Sequence, residues 1–192
     1  MYSQHKEDEL IFNYIEKKND GLYVDIGAGD YKELSNTYML YELGWRGLAV
    51  EPLPKYHTGW KEFRPRDTFI TDAISDKNGT VQMAHTVMEG TWLFEAWQSE
   101  QLVRTVKCRT FANLMEEYPE FLSADFFTMD IEMSEGKVLA TVDFNKFKPT
   151  MMIIENSIRR IDSRPMWEHL ILPYYDEVVK ELGNSVYVRK KQ

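Results

Sequence analysis

The sequence predicts an α/β fold built on a mostly parallel β-sheet. Five short apolar runs occur along the 192 residues, at 22–25, 48–51, 69–72, 126–130 and 152–155. Each run ends in a carboxylate, and none alternates between apolar and polar side chains. Such runs are typical of strands that are buried on both faces of a parallel sheet, between two layers of helices. Ligands bind outside the carboxyl ends of these strands, so the acids predict a cleft with negative potential.

The segments around the first strands carry helix and turn signals. Residues 7–18 are predicted to form an amphipathic helix, because their apolar side chains share one face. A glycine-rich turn follows the first strand, and a second helix is expected from 34 or 35 to 43. Pro52 and Pro54 then open a third helix that extends to about residue 63, because proline is tolerated only in a first turn.

The middle of the chain alternates strands and helices less regularly. A turn at 76–79 precedes a strand at 80–83. The segment 86–103 fits either a loop or short helix over the cleft or an ordinary packed connection. Helices are predicted at 111–118 and 133–141, on either side of the fourth acid-ended strand.

The C-terminal segment predicts a β-hairpin at the edge of the sheet. Two extended runs, 178–182 and 185–189, flank Gly183 and Asn184, and a glycine-first pair of this kind is typical of a tight hairpin turn. The sequence contains no internal repeat, low-complexity segment or linker. Residues 1–192 are therefore expected to form a single domain.

Composition and charge exclude several classes of function. Lys and Arg together number 23 against 31 Asp and Glu, which gives a formal net charge of −8. Binding to nucleic acid or to an anionic membrane surface requires a basic face, so neither partner is expected. Cys108 is the single cysteine, so an internal disulfide is impossible. No stretch resembles a signal peptide or a membrane span, and a cytoplasmic location is expected.

The turn Gly27-Ala28-Gly29-Asp30 has the character of a nucleotide-binding turn but departs from the dinucleotide fingerprint. Glycine lets a ligand approach the backbone closely. The fingerprint requires a third glycine where this chain has Lys32. Asp30 falls just before the predicted second helix, where a pyrophosphate would bind, and like charges about 4 Å apart cost roughly 4 kcal/mol there. A sulfonium or an ammonium group is favoured instead, and S-adenosylmethionine carries both without a phosphate.

Two further strand-end acids extend this predicted site. Glu51 lies about two dozen residues beyond the glycine turn, where nucleoside-binding α/β folds place an acid for the ribose hydroxyls. Asp72 could accept a hydrogen bond from the adenine amino group, while Ala73 and Ile74 pack on the ring. A solvated strand terminus explains Asp72 equally well.

Several stretches of the chain occur together in one known family. They are residues 24–30, 34–37, 44–52, 129–132 with Glu135, Val138 and Leu139, and 153–156. In this combination the chain resembles the FkbM-type methyltransferases from about residue 21 to the final hairpin. The resemblance implies the Rossmann-like class I methyltransferase fold with a seven-stranded sheet, and S-adenosylmethionine as the cofactor. It also implies transfer to a hydroxyl oxygen of a sugar or another small natural product.

The predicted cofactor site combines the strand-end acids with residues that the resemblance adds. Its members are Asp25, Gly27, Ala28, Gly29, Asp30, Ser35, Asn36, Thr37, Glu51, Pro52, Asp72, Ala73 and Asp130. The chain departs from the family at Met133, where glycine is usual, and a bulky side chain there could narrow the acceptor side. It also departs at Tyr31, which could stack on the cofactor or only cap the turn.

Methyl transfer to oxygen requires alignment of the reactants, exclusion of water, and a base or a metal that removes the hydroxyl proton. The candidate catalytic residues are Asp130, Glu132 and His85. Asp130 is favoured because it ends a strand that is expected beside the first one. A minority alternative is a Mg²⁺ ion held by Asp130, Glu155 and Asn156, since oxygen ligands suit this ion.

The function predicted best is an S-adenosylmethionine-dependent O-methyltransferase that acts on a small hydroxylated acceptor, with a carbohydrate favoured. One alternative is a nicotinamide-dependent oxidoreductase, against which the missing third glycine and Asp30 argue. A second alternative is a non-catalytic relative that binds S-adenosylmethionine without turnover, and Met133 leaves this open.

Overall fold

The computed structural model describes residues 2–3, 7–15, 19–86, 101–132, 134–158, 161–180 and 183–191. The α-helices of this part are α1 (Glu7–Tyr14), α2 (Tyr38–Glu42), α3 (Pro54–Phe63), α4 (Phe111–Glu117), α5 (Glu135–Leu139) and α6 (Glu168–Ile171). Its strands are β1 (Leu22–Ile26), β2 (Arg46–Val50), β3 (Thr68–Ile70), β4 (Ala73–Ile74), β5 (Gly79–Thr86), β6 (Gln101–Arg109), β7 (Phe126–Met129), β8 (Met151–Glu155), β9 (Ser157–Ile158), β10 (Ile161–Asp162), β11 (Tyr175–Lys180) and β12 (Asn184–Arg189).

A seven-stranded sheet forms the centre of the molecule, in the order β11-β12-β8-β7-β1-β2-β3. Five neighbouring strands of this sheet run parallel, namely β8, β7, β1, β2 and β3. The strand β12 is antiparallel to both β8 and β11. The prediction of a mostly parallel sheet with a C-terminal antiparallel hairpin is confirmed. The chain leaves β1 toward β2 and β3, then returns to place β7 on the other side of β1. The crevice for a ligand is expected at this reversal of strand order.

The four central strands β1, β2, β7 and β8 are largely apolar because they are covered on both faces. On one face, Val24 and Ile26 belong to a large core with side chains of α4, α5 and α6. On the other, Tyr23 belongs to a second core with Leu40 of α2 and Ile11 of α1. The alternation of a strand thus sends its side chains into two different apolar layers. Helices on both faces were predicted, and this is confirmed.

A second, three-stranded sheet has the order β4-β6-β5 and leaves the main sheet after β3. Its main feature is the long antiparallel pairing of β5 with β6, from Gly79↔Cys108 to Thr86↔Gln101. On the β5 side the sequence predicts a strand only at 80–83, whereas β5 spans Gly79–Thr86. The connection at 87–100 lies outside the described residues, so the alternatives for its structure stay open.

The second helix begins later than predicted, at Tyr38 instead of at 34 or 35. Leu34 has a φ of 57°, which an α-helix excludes. The Ser35 hydroxyl oxygen then accepts hydrogen bonds from the backbone N–H groups of Thr37 (3.3 Å) and Tyr38 (3.1 Å). These bonds fold residues 34–37 into a turn in front of the helix. Among the described residues the longest α-helix is α3, whose 10 residues are too few to span a bilayer.

Candidate functional site

The site is built at the carboxyl ends of four strands, β1, β2, β7 and β8. Gly27 allows the ends of β1 and β7 to lie in contact. Gly27 has a φ of 81°, and a Cβ on it would lie 1.8 Å from the carbonyl oxygen of Asp130. The Asp130 N–H donates to the Ile26 carbonyl (2.9 Å), so β1 and β7 remain paired up to this point. Only glycine permits this close contact between the two strand ends.

Gly29 presents bare backbone to the cleft. Its φ is 56°, and no atom lies within 4 Å of the place that a Cβ would occupy. The Gly29 N–H donates to a carboxylate oxygen of Glu51 (2.9 Å), and its carbonyl accepts from the Trp60 indole N–H (2.8 Å). Both bonds fix the backbone of the turn, and the open space at the Cβ position of Gly29 allows close approach of a ligand.

Glu51 is buried just after β2, and its carboxylate is fixed by the backbone. One oxygen accepts from the Gly29 N–H and the other from the Leu53 N–H (2.6 Å). Burial raises the pKa of Glu51, while the two hydrogen bonds oppose the increase. Each carboxylate oxygen keeps a further lone pair, so Glu51 can accept hydrogen bonds from two hydroxyl groups of a ligand.

Four of the predicted cofactor residues follow the glycines in the loop between β1 and α2, and the structure gives them different surroundings. Asp30 accepts hydrogen bonds from the N–H groups of Lys32 and Glu33 (both 2.9 Å). It therefore caps a local turn and does not precede the helix start. Ser35 and Thr37 are buried, whereas the half-buried Asn36 donates its amide N–H to Thr128 (3.1 Å) on β7.

Asp25 is turned toward this loop. It is 5% exposed, and its carboxylate accepts a hydrogen bond from the Thr37 hydroxyl (2.6 Å). Burial raises the pKa of Asp25 to about 6, although the bond from Thr37 acts in the opposite direction. In this arrangement Asp25 supports the loop, and direct contact with the cofactor stays a prediction.

The remaining predicted cofactor residues lie beyond β2 and β3. Asp72 accepts two hydrogen bonds from the Arg109 guanidinium, at 2.9 and 2.6 Å, through a single carboxylate oxygen. Ala73 is buried at the start of β4, and Pro52 is half-buried. No sequence pattern indicates Arg109 as a partner of Asp72, because the two residues are 37 positions apart.

Three acids form a cluster where β7 and β8 end. Carboxylate oxygens of Asp130, Glu132 and Glu155 all lie within 4.8 Å of one another. Burial and the negative charge of Asp130 raise the pKa of Glu155, and burial also raises that of Asp130. Asp130 is open to solvent on the cleft side but is otherwise surrounded by protein. Burial and the mutual repulsion of the acids therefore favour a proton within the cluster, between Glu155 and the hydrogen-bonded Asp130.

The structure gives other partners to Asn156, one member of the Mg²⁺ ligand set considered from the sequence. Asn156 is fully buried, where its amide N–H donates to Ser185 (2.8 Å) and its amide oxygen accepts from the Gly183 N–H (3.0 Å). It connects β8 to the C-terminal hairpin. Among the described acids, Glu132 is the one whose carboxylate lies close to those of Asp130 and Glu155, and it could supply a third oxygen ligand.

Two sequence predictions fall outside what the structure describes. His85 lies in β5, where its backbone pairs with Leu102, but its side chain is outside the described part of the chain. Its role as a base therefore stays a prediction. Met133 also lies outside the described residues, so its effect on the acceptor side is untested.

Sequence reasoning missed the buried arginine beside the site. Arg64 is 1% exposed and donates to the hydroxyl oxygens of Ser35 and Thr37 in the loop between β1 and α2. In the sequence it is an ordinary basic residue after a helix. No local signal distinguishes it from the exposed Arg66 two positions later.

Comparison with known proteins identifies a family. Residues 25–187 match the family described as "Methyltransferase FkbM domain". No curated protein matches the chain. Among solved structures, the chain is similar to 1,6-didemethyltoxoflavin-N1-methyltransferase of Burkholderia thailandensis, determined with 1,6-didemethyltoxoflavin and S-adenosylhomocysteine bound. The identity is 13% and the TM-score is 0.45, over 91% of this chain and 72% of the other.

Proposed function

The chain belongs to the FkbM-domain methyltransferases, which use S-adenosylmethionine, and from this premise we propose that it methylates a hydroxyl oxygen of a small acceptor. A carbohydrate or another hydroxylated natural product is the acceptor class that we favour. The oxidoreductase alternative is wrong, because the matching family is one of methyltransferases.

The observation that carries the proposal is the acid cluster at the ends of β7 and β8. A hydroxyl group is a weak nucleophile until a base takes its proton, and a carboxylate placed at the cleft can do so. Asp130 is the exposed cluster member that shares a hydrogen bond with Glu155, whose pKa is raised by burial and by the charge of Asp130. A proton on Glu155 donated to this bond reduces repulsion within the cluster and favours the ionised form of Asp130.

The residues around the glycine turn fit the cofactor. Bare backbone at Gly29 allows close approach, and the fixed carboxylate of Glu51 has lone pairs for the ribose hydroxyls. When bound, S-adenosylmethionine supplies an electrophilic methyl group on a positively charged sulfur. The acids of the cleft make the local potential negative, which favours a cation over a phosphate. These residues would hold the cofactor beside Asp130, since Gly27 places the ends of β1 and β7 in contact.

The proposal is tested with an Asp130→Asn variant, because asparagine keeps the size of the side chain but cannot take a proton. We expect S-adenosylhomocysteine to bind as in the parent and methyl transfer to fall by roughly 10²- to 10⁴-fold, the usual contribution of a general base. Binding is measured by calorimetry, and transfer by S-adenosylhomocysteine release with a panel of sugars, other alcohols and amines. Asp143→Asn is the control, since Asp143 is exposed and belongs to no part of the site.

Each outcome has a distinct meaning. Full activity of the Asp130→Asn variant would remove Asp130 as the base. Transfer to amines alone, identified by the NMR shift of the new methyl group, would contradict O-methylation. Cofactor binding without transfer to any acceptor would favour the non-catalytic alternative.

A further inference from the structure

Arg64 has no exposed side-chain surface, which is unusual for an arginine. It follows the last residue of α3, and its guanidinium lies beneath the loop that joins β1 to α2. A buried charge is strongly unfavourable unless it is paired and fully hydrogen-bonded. The surroundings of Arg64 therefore reveal what holds it there.

The five N–H groups of the guanidinium each have an acceptor. Nε donates to the Asp67 carboxylate (2.7 Å), with which Arg64 forms a buried ion pair. One Nη donates to the Tyr31 carbonyl (3.1 Å) and to the Ser35 hydroxyl (3.4 Å). The other donates to the hydroxyl oxygens of Tyr23 and Thr37, the latter at 3.1 Å. Since arginine has five N–H donors, its hydrogen-bonding capacity is fully used.

Three of these five bonds end on the loop between β1 and α2. The acceptors are Tyr31, Ser35 and Thr37. Residues of the same loop make further hydrogen bonds to the strands of the main sheet. Thr37 donates onward to Asp25 of β1 (2.6 Å), and Asn36 donates to Thr128 of β7 (3.1 Å). Arg64 thus fixes one end of a chain of contacts that reaches the strand that ends at Asp130.

Arg64 also contacts the support of Gly29. The guanidinium carbon lies 4.1 Å from the ring centre of Trp60, whose indole N–H donates to the Gly29 carbonyl (2.8 Å). A second ring, that of Tyr41, is 5.0 Å away. Lysine could supply the charge, but not the planar group that stacks on these rings and donates in five directions.

We infer that Arg64 is a positioning residue for the cofactor site, which holds both the loop at 31–37 and the Gly29 turn in the geometry that binds S-adenosylmethionine. The inference rests on the proposed function of this site. Arg64 acts through Thr37 and Trp60 and contributes no group to the transfer step. Its removal should therefore loosen cofactor binding more than it slows the transfer itself.

The test compares Arg64→Lys with Arg104→Lys, a substitution of the same type at an exposed position of β6. In Arg64→Lys we expect at least a tenfold loss of S-adenosylhomocysteine affinity by calorimetry. The KM for S-adenosylmethionine should rise similarly, while kcat at saturation stays within threefold of the parent. Arg104→Lys should bind as the parent does. A purely structural role would lower kcat through loss of folded enzyme and leave KM unchanged, and that result would overturn the inference.

A milder variant keeps the inference testable if Arg64→Lys does not fold. Thr37→Val removes one acceptor of the guanidinium with little change in volume, and a severalfold loss of affinity is expected. Where both variants fold, the double variant should lose less affinity than the sum of the single losses, because both act through one contact. Strict additivity would overturn the inference, as would parent-like affinity in Thr37→Val. Failure of the parent to bind S-adenosylhomocysteine would instead contradict the proposed function itself.

Discussion

The acids at the strand ends differ in their tasks because their surroundings differ. Asp25 is buried against a hydroxyl group, Glu51 is fixed by two backbone N–H groups, and Asp72 is paired with Arg109. Asp130 alone of these four is exposed, beside a second carboxyl group, Glu155, whose pKa is raised by burial and by the charge of Asp130. An acid at the end of a strand can thus support a loop, present its carboxylate to a ligand, or be available as a base, depending on its partners.

Glu51 tests the ribose side of the proposed site. Glu51→Ala is expected to weaken S-adenosylhomocysteine binding by roughly 1–3 kcal/mol, because it leaves polar partners unpaired. Two of those partners are the Gly29 N–H and the ribose hydroxyls. Calorimetric titration measures the change, with Glu62→Ala as the control at an exposed position of α3. Unaltered binding would count against Glu51 as a cofactor ligand.

Asp25 gives a prediction on stability and pH. Its pKa is raised from 3.8 to about 6 by burial, so the folded state binds this proton more tightly than the unfolded state does. The resulting stabilisation is complete below about pH 4 and is lost as the pH rises through about 6. In Asp25→Asn this dependence is absent. The difference in unfolding free energy, parent minus variant, should therefore fall by about 2 kcal/mol between about pH 4 and pH 7.

Denaturant titrations at several pH values measure this difference. Asp20→Asn is the control, since Asp20 is exposed on the surface. A constant difference between the parent and Asp25→Asn over this pH range would mean that Asp25 titrates normally in the folded protein.

At the scale of the element, the turn after β1 needs its two glycines for different reasons. Gly27 is required because the carbonyl of Asp130 occupies the space of a side chain. At Gly29 that space is open, and only the positive φ of 56° disfavours other residues. The first glycine therefore belongs to the packing of the sheet, and the second to the ligand.

Alanine substitutions separate these two roles. Gly27→Ala should destabilise the fold by about 2–5 kcal/mol, from the positive φ and the forced overlap together. Gly29→Ala should cost only about 1–2 kcal/mol of stability, from the positive φ, but should weaken S-adenosylhomocysteine binding by filling the open space. Chemical denaturation and calorimetry distinguish the two effects. Equal stability of the two variants would contradict the assignment.

The elements that the sequence predicts well are those whose signal is local. The third helix, α3, begins at Pro54 and ends at Phe63 as predicted, because proline fixes its first turn. The second helix begins later than predicted, because Ser35 and Thr37 are held by hydrogen bonds with Arg64 and Asp25. These bonds, and not the helical propensity of residues 34–37, determine the backbone there. Contacts between distant segments override propensity at this position.

At the scale of the whole molecule, the order of strands creates the acid cluster. The strand β7 lies between β1 and β8, although more than 70 residues separate it from the end of β2 along the chain. This order places Asp130 beside both the glycine turn and Glu155. The candidate base and the candidate cofactor turn therefore meet only in the folded sheet.

The same cluster gives a prediction on metal dependence. Methyl transfer is expected to be unchanged after exhaustive treatment with EDTA, because burial raises the pKa of Glu155 and a cation would have to displace its proton before binding there. The measurement is the rate of S-adenosylhomocysteine release before and after chelation, with untreated dialysed enzyme as the control. Activity that is lost with EDTA and restored by Mg²⁺ would assign the cluster to a cation, through Asp130, Glu132 and Glu155.

The sequence by itself determined the fold class and the place of the site. Short apolar runs without alternation are typical of strands buried on both faces of a parallel sheet, and the acids that follow parallel strands gather at one edge. The tertiary structure decided which acids are available. Burial, the partner of each carboxylate and the overlap at Gly27 depend on segments far apart in the chain. Arg64 is the clearest case, since its five acceptors come from β1, the loop after it and Asp67, and no local pattern specifies such a set.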